Sequence, residues 1–187
     1  MTTHHRLPAM QFHPATVQAR ADSALGPVRL AASPLGLVGL WFDGQRHQPN
    51  AKLDGPNGWP EVAGHALMQE AAGQLQQFLH GERRGFDLPL DLSGGTPFQQ
   101  EVWRALLAIG CGATSTYGGL SRGLGRPRAV RAVGAAVGRN PISVIVPCHR
   151  VLGADGSLTG YAGGLERKGA LLAIEGARPR TQDLLAA

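Results

Sequence analysis

Acidic residues are missing from the middle of this chain. From Val102 to Ala154 there is no aspartate or glutamate, yet seven arginines fall there: Arg104, Arg122, Arg126, Arg128, Arg131, Arg139 and Arg150. The chain's 18 basic residues less those seven leave 11 against 13 acidic residues elsewhere, so the net charge of +5 resides in one half. Such confinement points to a polyanionic partner, nucleic acid first, although a solvated basic face gives the same count. Cysteine is scarce too. Cys111 and Cys148 are the only two, too few for a disulfide framework, and we expect a reduced, cytoplasmic protein. No apolar run approaches the roughly 20 residues of a membrane-crossing helix. Residues 1–20 lack the apolar stretch of a secretory signal and read as a flexible tail. His4, His5 and His13 have no cysteine or carboxylate nearby at ligand spacing, so no metal is expected. Despite 27 glycines there is no Walker loop or G-x-G-x-x-G fingerprint, and the Pro-Cys-x-x-Cys pair of zinc deaminases is absent. No cofactor is indicated.

What is present falls into two halves. Val28–Ala32 and Leu37–Phe42 flank Ser33-Pro34-Leu35-Gly36, a tight-turn sequence, and predict a hairpin. Between Glu61 and His80, Leu67, Ala71, Leu75, Phe78 and Leu79 recur at helical spacing, with Gly81 as the stop. Residues 21–92 therefore read as a small α/β support domain: an antiparallel sheet with one helix. Ser93-Gly94-Gly95 reads as a hinge.

Residues 96–176 form the second half, predicted mostly α. Thr96-Pro97-Phe98-Gln99 carries a capping box with proline in the first turn, a strong helix start. A short helix from Tyr117 to Gly125 and a second beginning at Pro127 make a helix-turn-helix pattern. Arg128 and Arg131, three residues apart, would share one face of the second helix. Asp155-Gly156 turns a wing-like excursion, Leu165–Glu175 is the last helix, and residues 177–187 read as a tail.

Between those helices lies the stretch with chemistry in it. Ile142–Val146 reads as a fully buried strand, closed by Pro147 and followed by Cys148, His149 and Arg150. A thiol reacts as its thiolate, and adjacent basic groups could favour that form. Neighbours on a strand point to opposite sides, however, so Cys148 and His149 would need a turn or a bridging water to communicate. From the residues alone Cys148 is equally a small buried hydrophobe, and the helix pair equally belongs to a sequence-specific regulator.

The motif Pro147-Cys148-His149-Arg150-Val151 resembles the active-site signature of the O6-alkylguanine-DNA alkyltransferases (methylated-DNA–protein-cysteine methyltransferases). Phe98-Gln99, Val102-Trp103, Tyr117-Gly118, Arg131-Ala132-Val133-Gly134, Asn140-Pro141, Gly160-Tyr161, Gly163-Gly164, Lys168, Leu171-Leu172 and Glu175 match the same family in order and spacing. The match covers Thr96–Gly176 closely. Residues Ala21–Leu92 resemble the more variable N-terminal domain of bacterial members, which implies a ribonuclease-H-like α/β unit beside a winged-helix-like, helix-turn-helix domain. Chance does not produce so long an ordered set.

The resemblance implies single-use direct-reversal repair by a monomer: duplex DNA bound through its minor groove, O6-alkylguanine (and O4-alkylthymine) flipped out, and its alkyl group moved irreversibly to Cys148. By the same resemblance Arg131 fills the vacated stack, with Arg128, Ala129 and Thr116 beside it on the DNA. Tyr117 crowds the target phosphate and hydrogen-bonds the base. Cys148 and Val151 carbonyls, the Ala162 amide, Pro147, Tyr161 and Gly163 surround the base. His149 would act through water as the base for Cys148, oriented by Glu175, and Asn140 would brace the turn. The chain departs from common members at Ile109-Gly110 (often Ile-Pro), Thr116 (serine) and Ala162 (serine in some). It also lacks the N-terminal cysteines of zinc-binding relatives. Alkyltransferase-like sensors carry tryptophan in place of the cysteine, which Cys148 argues against.

Overall fold

A computed structural model describes residues 10–177, so the first nine residues of the expected first tail and nearly all of the last lie outside the described residues. Part of the first is a strand. Val17–Ala21 forms β1, antiparallel to β2 (Val28–Ser33), which pairs in turn with β3 (Gly36–Phe42). The tail expectation failed because the strand's outer edge is tied by a side chain. Gln18, buried, donates to the carbonyls of Leu53 and Trp59 at 3.0 and 2.9 Å, while its backbone exchanges hydrogen bonds with Pro60 and Val62. A buried glutamine that finds partners carries no hydrophobic signature.

That pairing also shortens the next helix. Glu61 bridges Gln18, so α2 begins at Ala66 and runs to Leu79 rather than starting at Glu61. A single turn, α1 (Asn50–Leu53), precedes it. The hairpin forms as predicted, with a bulge between Ala31 and Ala32. One face of the sheet packs Leu30, Leu37, Leu40 and Phe42 against Met68, Leu75 and Phe78 of α2. The other packs Trp41 and Trp59 on Phe12, with Phe12 edge-on to Trp59 at 4.8 Å.

The second half contains α3 (Pro97–Leu107), β4 (Ser115–Thr116), α4 (Tyr117–Gly123), α5 (Val130–Gly138), a 3₁₀ turn (Cys148–Arg150), β5 (Val151–Leu152) and α6 (Leu165–Ile174). The capping box at α3 is complete, with Gln99 N–H on Thr96 Oγ1 and Thr96 N–H on Gln99 Oε1. Trp103, fully buried, fixes α3 to α5 by donating to the Ala136 carbonyl at 2.9 Å. The second helix of the pair starts three residues later than expected, at Val130. Gly125, with φ +68, turns the chain, and the 126–129 segment closes on itself through Ala129 N–H to Arg126 O. Arg128 therefore precedes α5 instead of sharing its face with Arg131.

The two halves share one core. Val102, Trp103, Val133 and Ile142 lie in the same buried cluster as Leu30 and Leu40. The free edge of β3 is bridged by Leu90 and by Ile142, and Gly95 packs so closely on Trp103 that a Cβ there would lie 2.3 Å from the ring. Ser93–Gly95, read as a hinge, is thus held by packing and by hydrogen bonds to Asp91 and Gln100. Among the described residues no helix is long and apolar enough to cross a membrane.

Candidate active site

The expected strand at Ile142–Val146 is not one. Only Ile142 bridges β3; then the chain coils, all of it buried. Ile145 N–H bonds Ser143 O at 2.9 Å around Val144, whose φ is +71. This is a γ-turn of the rarer hand, in a region β-branched residues almost never occupy. Cys148 N–H reaches Val146 O at 2.8 Å around Pro147 (φ −82, ψ 61), an inverse γ-turn. Asn140 takes the place of a neighbouring strand. Its Oδ1 accepts from Ile142 N–H at 3.0 Å, and its Nδ2 donates to Val146 O at 2.7 Å. Side-chain amide bonds substitute for sheet pairing, so an apolar run that resembles a strand is folded into a loop.

The same Asn140 Nδ2 lies 3.0 Å from Cys148 Sγ. Cys148 is only 4% exposed. Burial pushes its pKa up; the Asn140 hydrogen bond and the charge of Lys168 act in the opposite direction without overcoming it. The resting group is a thiol. Its neighbours in sequence do not supply the activating charge, contrary to expectation. Arg150 instead grips Glu175, with Nε at 3.0 and 3.1 Å from the two carboxylate oxygens and Nη2 at 2.9 Å, and its Nη1 binds the Ile109 carbonyl.

Glu175, at the end of α6, collects donors from two segments: Gly112 N–H at 3.1 Å from the loop after α3, and Arg150 and His149 Nε2, the latter at 2.7 Å, from the 3₁₀ turn. Burial alone would raise its pKa, but these hydrogen bonds hold it at about 2. A carboxylate can only accept, so the hydrogen between them is on His149 Nε2 and Nδ1 is a bare acceptor. His149 is wholly buried, and burial lowers its pKa against the raising effect of Glu175. The outcome is a neutral imidazole, oriented by a carboxylate. Its Nδ1 is buried without a hydrogen-bond partner among the described residues.

Lys168, quoted in the family match but given no role there, closes the inner side. It is fully buried and donates to the carbonyls of Val151 and of Thr159, the latter at 2.6 Å. Burial lowers its pKa to about 8, against the opposing influence of Cys148. Val151 also pairs with Ser115 through the parallel β4–β5 contact, which sets Tyr117 beside the turn. Thr116 caps α4 by accepting from Gly119 N–H at 3.0 Å, and Tyr117 opens the helix with its hydroxyl 3.0 Å from the Gly160 carbonyl. Gly160 has φ +53, and a Cβ there would lie 2.8 Å from that hydroxyl.

Between α5 and the 159–162 loop runs an open cleft of about 580 Å³, walled by Tyr117, Val130, Gly134, Gly160 and Ala162, among others. Of the six residues expected around a base, Ala162 lines this cleft; Pro147, Cys148, Val151, Tyr161 and Gly163 are buried and do not. Arg128 and Arg131 are exposed, with Ala129 half-buried between them and α5. In the acid-free segment Arg150 is neutralised from outside by Glu175, and Arg126 by Glu101 at 2.8 Å. Arg126 also stacks on the Phe98 ring.

Residues 97–177 match a family described as 6-O-methylguanine DNA methyltransferase, DNA binding domain, and residues 17–92 match its ribonuclease-like domain. The chain is 44% identical over 155 residues to a methylated-DNA–protein-cysteine methyltransferase of Methanosarcina acetivorans, covering 83% of this chain and 95% of that one. It is 46% identical over 157 residues to the Mycobacterium bovis protein of the same name, covering 84% and 90%. Among solved structures, Mycobacterium tuberculosis OGT in complex with DNA superposes with a TM-score of 0.75 at 44% identity, over 84% of this chain and 91% of that one.

Proposed function

The chain belongs to the methylated-DNA–protein-cysteine methyltransferase family, and we propose that it repairs O6-alkylguanine in duplex DNA by moving the alkyl group irreversibly to Cys148. The observation that carries this assignment is the buried His149–Glu175 pair directly after the buried Cys148. A thiol that starts protonated meets an imidazole whose unoccupied nitrogen is an acceptor, while the other nitrogen is held by a carboxylate at 2.7 Å. With a water between Sγ and Nδ1, His149 takes the thiol proton as the sulfur attacks the alkyl carbon. The C–O6 bond breaks, an S–C bond forms, and guanine leaves with the bond's electrons, to be reprotonated at neutral pH. Asn140 and Lys168 stabilise the transient thiolate, one by a hydrogen bond and one by charge. The thioether product has no neighbour able to cleave it, so each molecule acts once.

DNA binding fits the same geometry. Arg131 and Arg128 stand exposed at the start of α5, with Ala129 and Thr116 alongside, and Tyr117 leads from that surface into the cleft. An extruded base placed there meets the Ala162 amide. Reaching the buried sulfur and the Val151 carbonyl requires the Tyr117–Gly160 contact to open. Both cysteines are unpaired, consistent with action in the reducing cytoplasm, and we take the protein to work as a monomer. The test is direct: Cys148→Ala binds O6-methylguanine duplex but leaves its methyl group in place, and equal demethylation by this variant overturns the assignment.

A further inference from the structure

The cleft beside α5 has a wall that the first half of the chain supplies. Arg46 and His47, from the turn after β3, line it together with Arg139, the residue directly after α5, and among the described residues no carboxylate lies along it. Arg46 is anchored there: its backbone N–H donates to Ala162 O and its Nη2 to Tyr161 O, both at 3.1 Å. His47 sits at φ +65, a left-handed conformation that side-chain-bearing residues seldom adopt and that often marks function. The pKa of His47 is lowered by burial and then by Arg139 and Arg46, so the three groups lie within one another's field. Mutual repulsion of this kind is relieved by an anion.

Position says which anion. Arg46 and His47 are exposed and Arg139 is half-buried, so the trio forms the solvent-side rim of the cleft, whereas Cys148 is buried and takes no part in its lining. In a pocket that receives an extruded nucleotide, the base goes inward and its phosphodiester stays at the rim. Arg131 and Arg139 are separated by about 12 Å along the helix, which a strand rising about 3.4 Å per nucleotide crosses in about four nucleotides. We propose that Arg46, His47 and Arg139 form a phosphate clamp that holds the DNA backbone flanking the flipped nucleotide, making the N-terminal half part of the DNA-binding surface. This rests on the repair reading above and extends it to residues outside the helix-turn-helix.

The test uses the full chain and duplexes carrying one O6-methylguanine. Binding is followed by fluorescence anisotropy across a salt series, and methyl transfer by single-turnover kinetics. Arg139→Gln and His47→Gln each weaken binding whatever the flanking sequence, and Arg139→Gln makes the slope of log K against log[salt] less steep by about one. In the unmodified protein, neutral methylphosphonate linkages placed in turn beside the lesion weaken binding at one position, and Arg139→Gln abolishes that penalty. Equal salt slopes and an unchanged methylphosphonate penalty overturn the clamp while methyl transfer stands. Loss of only O6-carboxymethylguanine transfer in the variants, with the salt slope intact, places the anion on the adduct and also overturns it. Failure of the unmodified protein to methylate Cys148 refutes the underlying repair reading instead.

Discussion

Glu175 Oε1 lies 2.7 Å from His149 Nε2, and the same carboxylate is gripped by Arg150. One group thus sets the imidazole tautomer and neutralises a buried guanidinium. Glu175→Gln leaves Arg150 without its charge partner and lets the ring take either tautomer. Removal of one partner from a buried ion pair costs about 3–5 kcal/mol, and loss of an oriented general base costs about 10²-fold or more in rate. Denaturant unfolding and single-turnover transfer together should show both losses.

Acid stability follows from the same pair. Glu175 titrates near 2 in the folded chain against an ordinary 4.5, and His149 below its ordinary 6.5. Both shifts are downward, so both contribute stability at high pH. The His149 contribution declines as pH falls below 6.5, and that of Glu175 declines from 4.5 towards 2. At about 1.4 kcal/mol per unit, the Glu175 shift alone corresponds to about 3 kcal/mol. Unfolding free energy measured from pH 7 towards 2 should fall in two stages, and Glu175→Gln should shrink the lower stage to what Asp91, also held low, contributes. The alkyl-transfer rate should show no step at 6.5, because His149 stays neutral below it.

Asn140→Ala removes the partner of Ile142 N–H and the donors to Val146 O and Cys148 Sγ. Each buried group left unsatisfied costs about 1–3 kcal/mol, and the left-handed Val144 turn loses its brace. We expect a loss of about 3 kcal/mol or more in chemical denaturation, together with a higher pH midpoint for Cys148 alkylation by iodoacetamide.

Lys168→Met takes away a cation that favours the thiolate and the donor to Val151 and Thr159 carbonyls. Transfer should slow about tenfold, equal to about 1.4 kcal/mol of barrier, and Lys168→Arg should recover part of the rate. Equal rates in all three proteins would assign Lys168 to packing alone.

The difference between what was legible in the sequence and what was not comes down to partners. The hairpin at Ser33–Gly36, the capping box at Thr96 and the amphipathic α2 were readable because their signals are local: turn residues, a cap, a period. Strand β1 was missed because its buried Gln18 is satisfied by Leu53 and Trp59, distant in sequence. Ile142–Val146 read as a strand because burial looks alike in strands and coils, and only the bonds of Asn140 distinguish them. At the site, Asn140 lies against Cys148 and Glu175 against His149, contacts between residues distant in sequence whose roles only the family resemblance suggested. The true engagement of Arg150 needed Glu175 beside it, 25 residues away. Arg46 and His47 gave no signal, since a turn in the first half becomes a wall of the cleft only when both halves close on one core.

The most direct measurement is the mass of the Cys148 peptide after mixing the protein with an equimolar O6-methylguanine duplex. One added methyl group is expected on Cys148 and none on Cys111, with guanine restored in the DNA and no second round with fresh substrate. An unmodified Cys148 beside an intact lesion, or one protein molecule clearing several lesions, would contradict the proposed repair.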